Sequence, residues 1–138
     1  MGKAEFHING IRTIPTEEEE QIALFSWAAL AEGRFPALGI MHHIPNGGKR
    51  SKREAARFRA AGVKPGVSDI FLPCARGGYH GLYIELKALD GKPSAEQKRF
   101  AEAVRAEGFV CAFCYGAEAA ERVILDYLRL GKAAEAMR

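Results

Sequence analysis

Two periods of apolar and polar residues alternate along this chain, and the breaks between them mark its elements. At Thr16 a run of four glutamates begins, Glu17 to Glu20, and passes into an apolar stretch over 22–31 broken only by Ser26. Thr16 can cap a helix, Glu19 can complete a capping box, and the acids suit the positive end of the helix dipole. Gly33 and Pro36 end that helix. The segment 38–44 reads as a short strand, closed by the turn residues Pro45, Asn46, Gly47 and Gly48. A second helix is expected over 51–61, with Ser51 as cap and Gly62 as stop. Two short strands, over 70–72 and 82–86, flank the turn Arg76-Gly77-Gly78 and read as a hairpin. Ser94 then caps a helix to Glu107, a strand covers 109–115, and a last helix covers 117–130. The strand–helix–strand unit over 82–115 implies a parallel pair. No repeat or linker divides residues 1–138, so the chain reads as one α/β domain, a mixed central sheet flanked by helices.

With 138 residues, 48% of them hydrophobic and 27% charged, the chain has the composition of a globular domain able to bury a core. The stretch 22–31 is far shorter than the ~20 apolar residues that cross a bilayer, so no membrane partner is expected. The first residues, MGKAEFHING, lack the apolar centre of a signal peptide, which places the protein in the cytoplasm. Three cysteines, Cys74, Cys111 and Cys114, argue against a disulfide framework. Cys111 and Cys114 match C-x-x-C, but no second pair is present for zinc and no helix begins where a redox site needs one. They read as small apolar side chains of a buried strand.

Charge changes the picture more. The net charge is only +3, yet seven Lys or Arg stand against one acid, Glu54, between His42 and Lys64. Such a block on an otherwise acidic chain fits either a polyanion partner or a solvated helix face.

Charged residues also stand where strands should be apolar. Asp69 opens the strand over 70–72, while Glu85 and Lys87 flank Leu86 at the end of the apolar run Leu82-Tyr83-Ile84. A hairpin centred on Gly77 places Asp69 opposite Glu85, with Cβ atoms roughly 4.5–5.5 Å apart. Alternation puts Lys87 on the face of Glu85. Two facing carboxylates destabilise a sheet unless a cation lies between them. Oxygen donors with a lysine beside them suit Mg²⁺, with Mn²⁺ as a substitute, next to a phosphate. The bland alternative is an Asp69 that caps a turn beside an exposed Glu85–Lys87 pair.

The stretches Gly66-Val-Ser-Asp69 and Tyr83-Ile-Glu85-Leu-Lys87 resemble the PD-(D/E)xK nuclease superfamily. The wider pattern is similar to its VRR-NUC branch, through Glu20-Gln21, His43-Ile-Pro-Asn46-Gly-Gly, Ser94-Ala-Glu-Gln97 and Gly108-Phe109. Ser68 departs from it, standing where the superfamily has Pro. The resemblance implies a restriction-endonuclease-like core and a metal held by Asp69, Glu85, the main-chain carbonyl of Leu86, and Glu20 from the first helix. It makes Lys87 the catalytic lysine and sets Gln97 against the site. Spacing alone does not select Glu20, because Glu18 lies on an equally amphipathic face, and Gln97 could instead pair with Ser94. His42 and His43 read as strand-end polar groups rather than ligands.

Asn46, Lys49, Arg50, Lys52 and Arg53 read as contacts to DNA phosphates. The expected function is a metal-dependent DNA endonuclease, structure-selective in the manner of a Holliday-junction resolvase. Cutting a four-way junction symmetrically needs two sites, hence a homodimer. Phe25 and Trp27 on the first helix, and Tyr127 and Leu128 on the last, are candidate interface or core residues. The competing reading is a DNA-binding module that uses residues 49–64 without chemistry.

Overall fold

A computed structural model of the chain describes residues 7–8, 11–45 and 50–132. Two short antiparallel strands, β1 (His7–Ile8) and β2 (Ile11–Arg12), come first. They were not expected from the sequence, where two-residue strands leave no periodic signal. Helix α1 (Glu17–Ala31) follows with the capping box formed: Glu19 N–H donates to Thr16 Oγ1, and Thr16 N–H donates to Glu19 Oε1.

The strand expected over 38–44 is a five-residue 3-10 helix (Pro36–Ile40) followed by a two-residue strand, β3 (His42–His43). Pro36 presets the first helical φ. Leu38 and Met41, the two buried residues of the segment, are three apart, the period of a 3-10 helix rather than a strand. Helix α2 (Lys52–Ala60) is capped by Ser51 as expected and buries no side chain. Strands β4 (Ile70–Leu72) and β5 (Leu82–Lys87), helix α3 (Ala95–Ala106), strand β6 (Val110–Tyr115) and helix α4 (Ala117–Leu128) complete the order.

The main sheet runs β3-β4-β5-β6, with β4 antiparallel and β6 parallel to β5. One face of β5, with Leu82, Ile84 and Leu86, packs on α1 and α4 through Leu24, Ala28, Ala120, Ile124 and Tyr127. The other face carries Tyr83, stacked on Phe71 at 4.4 Å between ring centroids and edge-on to Phe100 of α3. Helices thus cover both faces of a mixed sheet. Phe25, Trp27 and Leu128 pack against the core, and the Tyr127 hydroxyl donates to the Cys74 carbonyl at 2.6 Å. Of the four candidate interface residues, Tyr127 is buried in the core, while Phe25, Trp27 and Leu128 pack against it and keep part of their surface exposed.

The hairpin has the expected register for an unexpected reason. Ile70 pairs with Ile84, Phe71 with Tyr83 and Leu72 with Leu82, which sets Asp69 opposite Glu85 one residue beyond the ladder. Yet the turn is centred between Gly77 and Gly78, both at positive φ, with Arg76 bridged to Tyr79. Pro73, Cys74 and Ala75 on one arm then face only His80 and Gly81 on the other, and this extra residue restores the register. Upstream, Gly66 at φ 86° lies so close to the Glu96 carbonyl that no Cβ fits. This contact docks the loop before Asp69 onto the first turn of α3.

Gly66→Ala should therefore cost more than the ~1–2 kcal/mol of left-handed strain alone. Gly62, at φ 104° with open space around it, isolates that strain. Urea unfolding should show Gly66→Ala clearly more destabilised than Gly62→Ala. Equal losses would mean that the α3 contact yields freely.

Candidate active site: a carboxylate cluster on the central strand

Glu85 is 1% exposed although it is an acid in the middle of the sheet. Its Oε2 lies 3.9 Å from Lys87 Nζ, a long ion pair, and among the described residues its buried Oε1 has no hydrogen-bond partner. Opposite it, Asp69 is fixed by the backbone, because Leu86 N–H donates to Asp69 Oδ2 at 3.1 Å. The Asp69 carbonyl accepts in turn from Ile44 N–H and from the His43 ring at 2.9 Å. A third acid, Glu17, reaches in from the first residue of α1. One carboxylate oxygen from each of Glu17, Asp69 and Glu85 lies within 4.8 Å of the others.

This arrangement is unfavourable without a cation. Burial pushes the Glu85 carboxyl up to about 9, helped by the hydrogen bond and charge of Asp69 and by Glu17, against the opposing pull of Lys87. Three converging oxygen donors and a buried, unsatisfied oxygen fit a hard divalent cation with room for water or phosphate oxygens. Ionised, Glu85 leaves that acceptor unsatisfied unless a cation sits there, whereas protonated it can share its proton with Asp69.

The four consecutive glutamates separate into different tasks. Glu17 joins the cluster, Glu18 is exposed and Glu19 closes the capping box of its own helix. Glu20, expected at the metal, instead accepts from Ala117 N–H at 3.2 Å at the start of α4. The N-cap of α4 is Gly116, which has no side chain to offer, and Glu20 supplies the missing acceptor from another helix. Sequence spacing does not single out Glu17: Glu17, Gln21, Leu24 and Ala28 form one helical stripe, but Glu20 lies one turn from Leu24 as well, and the buried face of α1 is known only from the structure.

Gln97 sits in the capping box of α3, its Oε1 accepting from Ser94 N–H at 2.8 Å. Among the described residues it makes no hydrogen bond to the cluster. Arg50 lies over the Phe58 ring at 4.0 Å, while Lys52 and Arg53 are exposed on α2. Asn46 and Lys49 lie outside the described residues. Ser68, the departure from the superfamily pattern, is buried with its hydroxyl 3.5 Å from Cys111 Sγ. All three thiols are free, and burial raises each of them, Cys114 to about 11. Such thiols are poor nucleophiles near neutral pH, which removes the redox reading.

Two measurements separate these roles. Glu20→Ala should lower stability by about 1 kcal/mol while Mn²⁺ binding is kept. Glu17→Ala should weaken Mn²⁺ binding by roughly tenfold or more without loss of stability. Calorimetric titration with thermal unfolding checks both, and the reverse pattern would return Glu20 to the metal. The second prediction concerns pH. A carboxyl held above its ordinary value of 4.5 loses stability as pH rises through the window up to about 9. In EDTA, Glu85→Gln should therefore melt higher than the parent protein by a margin that grows from pH 5 to pH 8. A margin independent of pH would mean that Glu85 ionises freely.

The VRR-NUC domain model matches residues 16–118. A solved structure named VRR_NUC domain protein superposes with a TM-score of 0.74 at 33% identity, over 86% of this chain and 92% of that one. None of the curated proteins compared matches. Among the described residues no helix is long and apolar enough to cross a membrane. The family match spans the carboxylate cluster, β5 and the start of α4, and with the shared fold it makes this chain a member of the VRR-NUC family of nuclease-type domains.

Proposed function

We propose that the chain is a cytoplasmic, Mg²⁺-dependent DNA endonuclease that hydrolyses phosphodiester bonds in branched DNA. The buried, unpartnered Oε1 of Glu85 beside Asp69 and Glu17 carries this reading. A module that only bound DNA would gain nothing from burying that charge. Glu17, Asp69 and Glu85 would hold the cation, with the Leu86 main-chain carbonyl as a further donor. The cation, when bound, supplies Lewis acidity at the phosphate and a more acidic water. Asp69 is preorganised by Leu86 N–H. Lys87, almost as buried as Glu85, places an ammonium beside the cluster where it can hold a phosphate oxygen or orient the attacking water. Helix α2, with Lys52, Arg53, Arg57 and Arg59 on an exposed surface, would hold DNA by its phosphates.

Each chain carries one such cluster among its described residues, so symmetric resolution of a four-way junction requires two copies about a two-fold axis. We therefore read the working form on junctions as a homodimer.

Labelled linear, flap and four-way DNA incubated with Mg²⁺, Mn²⁺ or EDTA tests the whole reading. Cleavage should require metal and favour branched substrates. Asp69→Ala, Glu85→Ala and Lys87→Arg should each lose about 100-fold or more while still binding DNA, since a planar guanidinium does not replace a compact ammonium. Wild-type cleavage by Glu85→Ala would refute the metal site. Salt-sensitive binding without cleavage under any metal would favour the binding module. A monomeric mass by light scattering, with and without junction DNA, would remove the dimer and leave the nuclease.

A further inference from the structure

Beside the carboxylate cluster runs an open, mostly apolar groove of about 260 Å³, lined by Gln21, Ile22, Phe25 and His43. Its two walls are tied to two of the three carboxylates. Gln21 stands one helical turn from Glu17 on the same side of α1. The His43 ring is bonded through Nδ1 to the main-chain carbonyl of Asp69 at 2.9 Å. A carbonyl oxygen can only accept, so Nδ1 carries the hydrogen and Nε2 is the remaining polar atom of the ring. Between these walls Ile22 is 61% exposed and offers its aliphatic side chain to whatever enters the groove.

We propose that this groove binds the base and sugar of an unpaired nucleotide adjacent to the scissile phosphate. The proposal rests on the nuclease reading above and names the part of the substrate that the cluster alone does not explain. Through Gln21 and His43 the groove adjoins Glu17 and Asp69, which would hold the cation, so it lies within reach of a nucleotide next to the bound phosphate. Its volume falls below the ~300 Å³ at which pockets for drug-sized ligands begin, which suits one nucleoside rather than two. Ile22, Phe25 and the His43 ring offer flat or aliphatic surface to a base, which is sequence-tolerant because every base has an apolar face. Gln21 and His43 Nε2 meet the polar edge or a phosphate oxygen. A base stacked in a duplex cannot enter, whereas an unpaired one enters at least cost. Preference for branched DNA would then arise at the active site itself, before any contribution from a second copy.

The test uses a flap whose cut position has been mapped, with an abasic site replacing each flanking nucleotide in turn. Single-turnover rates are measured for the full chain and for Ile22→Asp, a substitution at an exposed position. The abasic site on one side of the cut should slow the wild type about tenfold, the scale of a lost stacking contact. Ile22→Asp should slow cleavage of intact DNA to a similar degree and be indifferent to the abasic site, because both changes remove the same contact. Unchanged wild-type rates on both abasic substrates would overturn the subsite, as would losses that multiply in the variant. A dimer dispersed by Ile22→Asp would assign the groove to a second copy instead. Failure to cut any DNA would sink the nuclease reading, and the subsite with it, which is a different result from cutting that ignores the neighbouring base.

Discussion

The placement of Glu85 on β5 governs the rest of the structure. This strand is paired on both sides, to β4 through Ile84 and to β6 through Glu85 itself opposite Phe113. It cannot slip without moving its whole apolar face into solvent. Leu82, Ile84 and Leu86 are each no more than 1% exposed, and burying side chains of this kind contributes about 1.5–3 kcal/mol apiece. Together they outweigh the few kcal/mol that one strained carboxyl costs. Register therefore holds an acid in a position it would not choose, and the opposite strand delivers Asp69 to the same place. Leu86 serves both sides of this arrangement: its side chain anchors the core while its N–H orients Asp69.

Helix ends do the remaining positioning. Thr16 and Glu19 fix the first turn of α1, which aims Glu17 at the cluster and leaves Glu20 to reach α4. Ser94 and Gln97 fix the first turn of α3, against which Gly66 docks the loop leading to Asp69. Two capping boxes, far apart in sequence, thus set two of the three carboxylates.

What could be read from the sequence follows from how local each signal is. Caps at Thr16, Ser51 and Ser94 were legible because the donor, the acceptor and their spacing lie within four residues. The Asp69–Glu85 pairing was legible from the strands' alternation, and it held although the turn is centred half a residue away from Gly77, since an extra residue in the first arm compensates. The 3-10 helix at Pro36–Ile40 was not legible as such, because Leu38, Ile40 and Met41 over so short a segment fit a strand as well as a 3-10 turn. Choosing among four adjacent glutamates required knowing which surface of α1 is buried. The Glu-Gln pair pointed to Glu20, and both Glu17 and Glu20 lie near the buried stripe of Leu24 and Ala28; only the folded geometry brings Glu17 to the cluster and Glu20 to α4. The resemblance gave Gln97 a place at the site, but its amide oxygen is engaged at the helix end.

In the nuclease reading proposed above, chemistry and affinity occupy different parts of this fold, and the difference has a physical basis. Glu85 sits on a strand paired on both sides, which fixes its carboxylate, and Asp69 is oriented by Leu86 N–H. No residue of helix α2 is fully buried, and Arg50 lays its guanidinium over the half-buried Phe58. A helix so lightly attached can follow a phosphate backbone whose path differs between duplex and branch. Rigid placement is needed where charge develops, and compliance is acceptable where only phosphates are held. The groove beside Glu17 and Asp69 lies between these two regimes. It is built from a rigid helix and a two-residue strand, and it offers surface rather than a hydrogen-bond code. An enzyme assembled in this way would discriminate DNA by whether a base is free to leave its stack, not by which base it is.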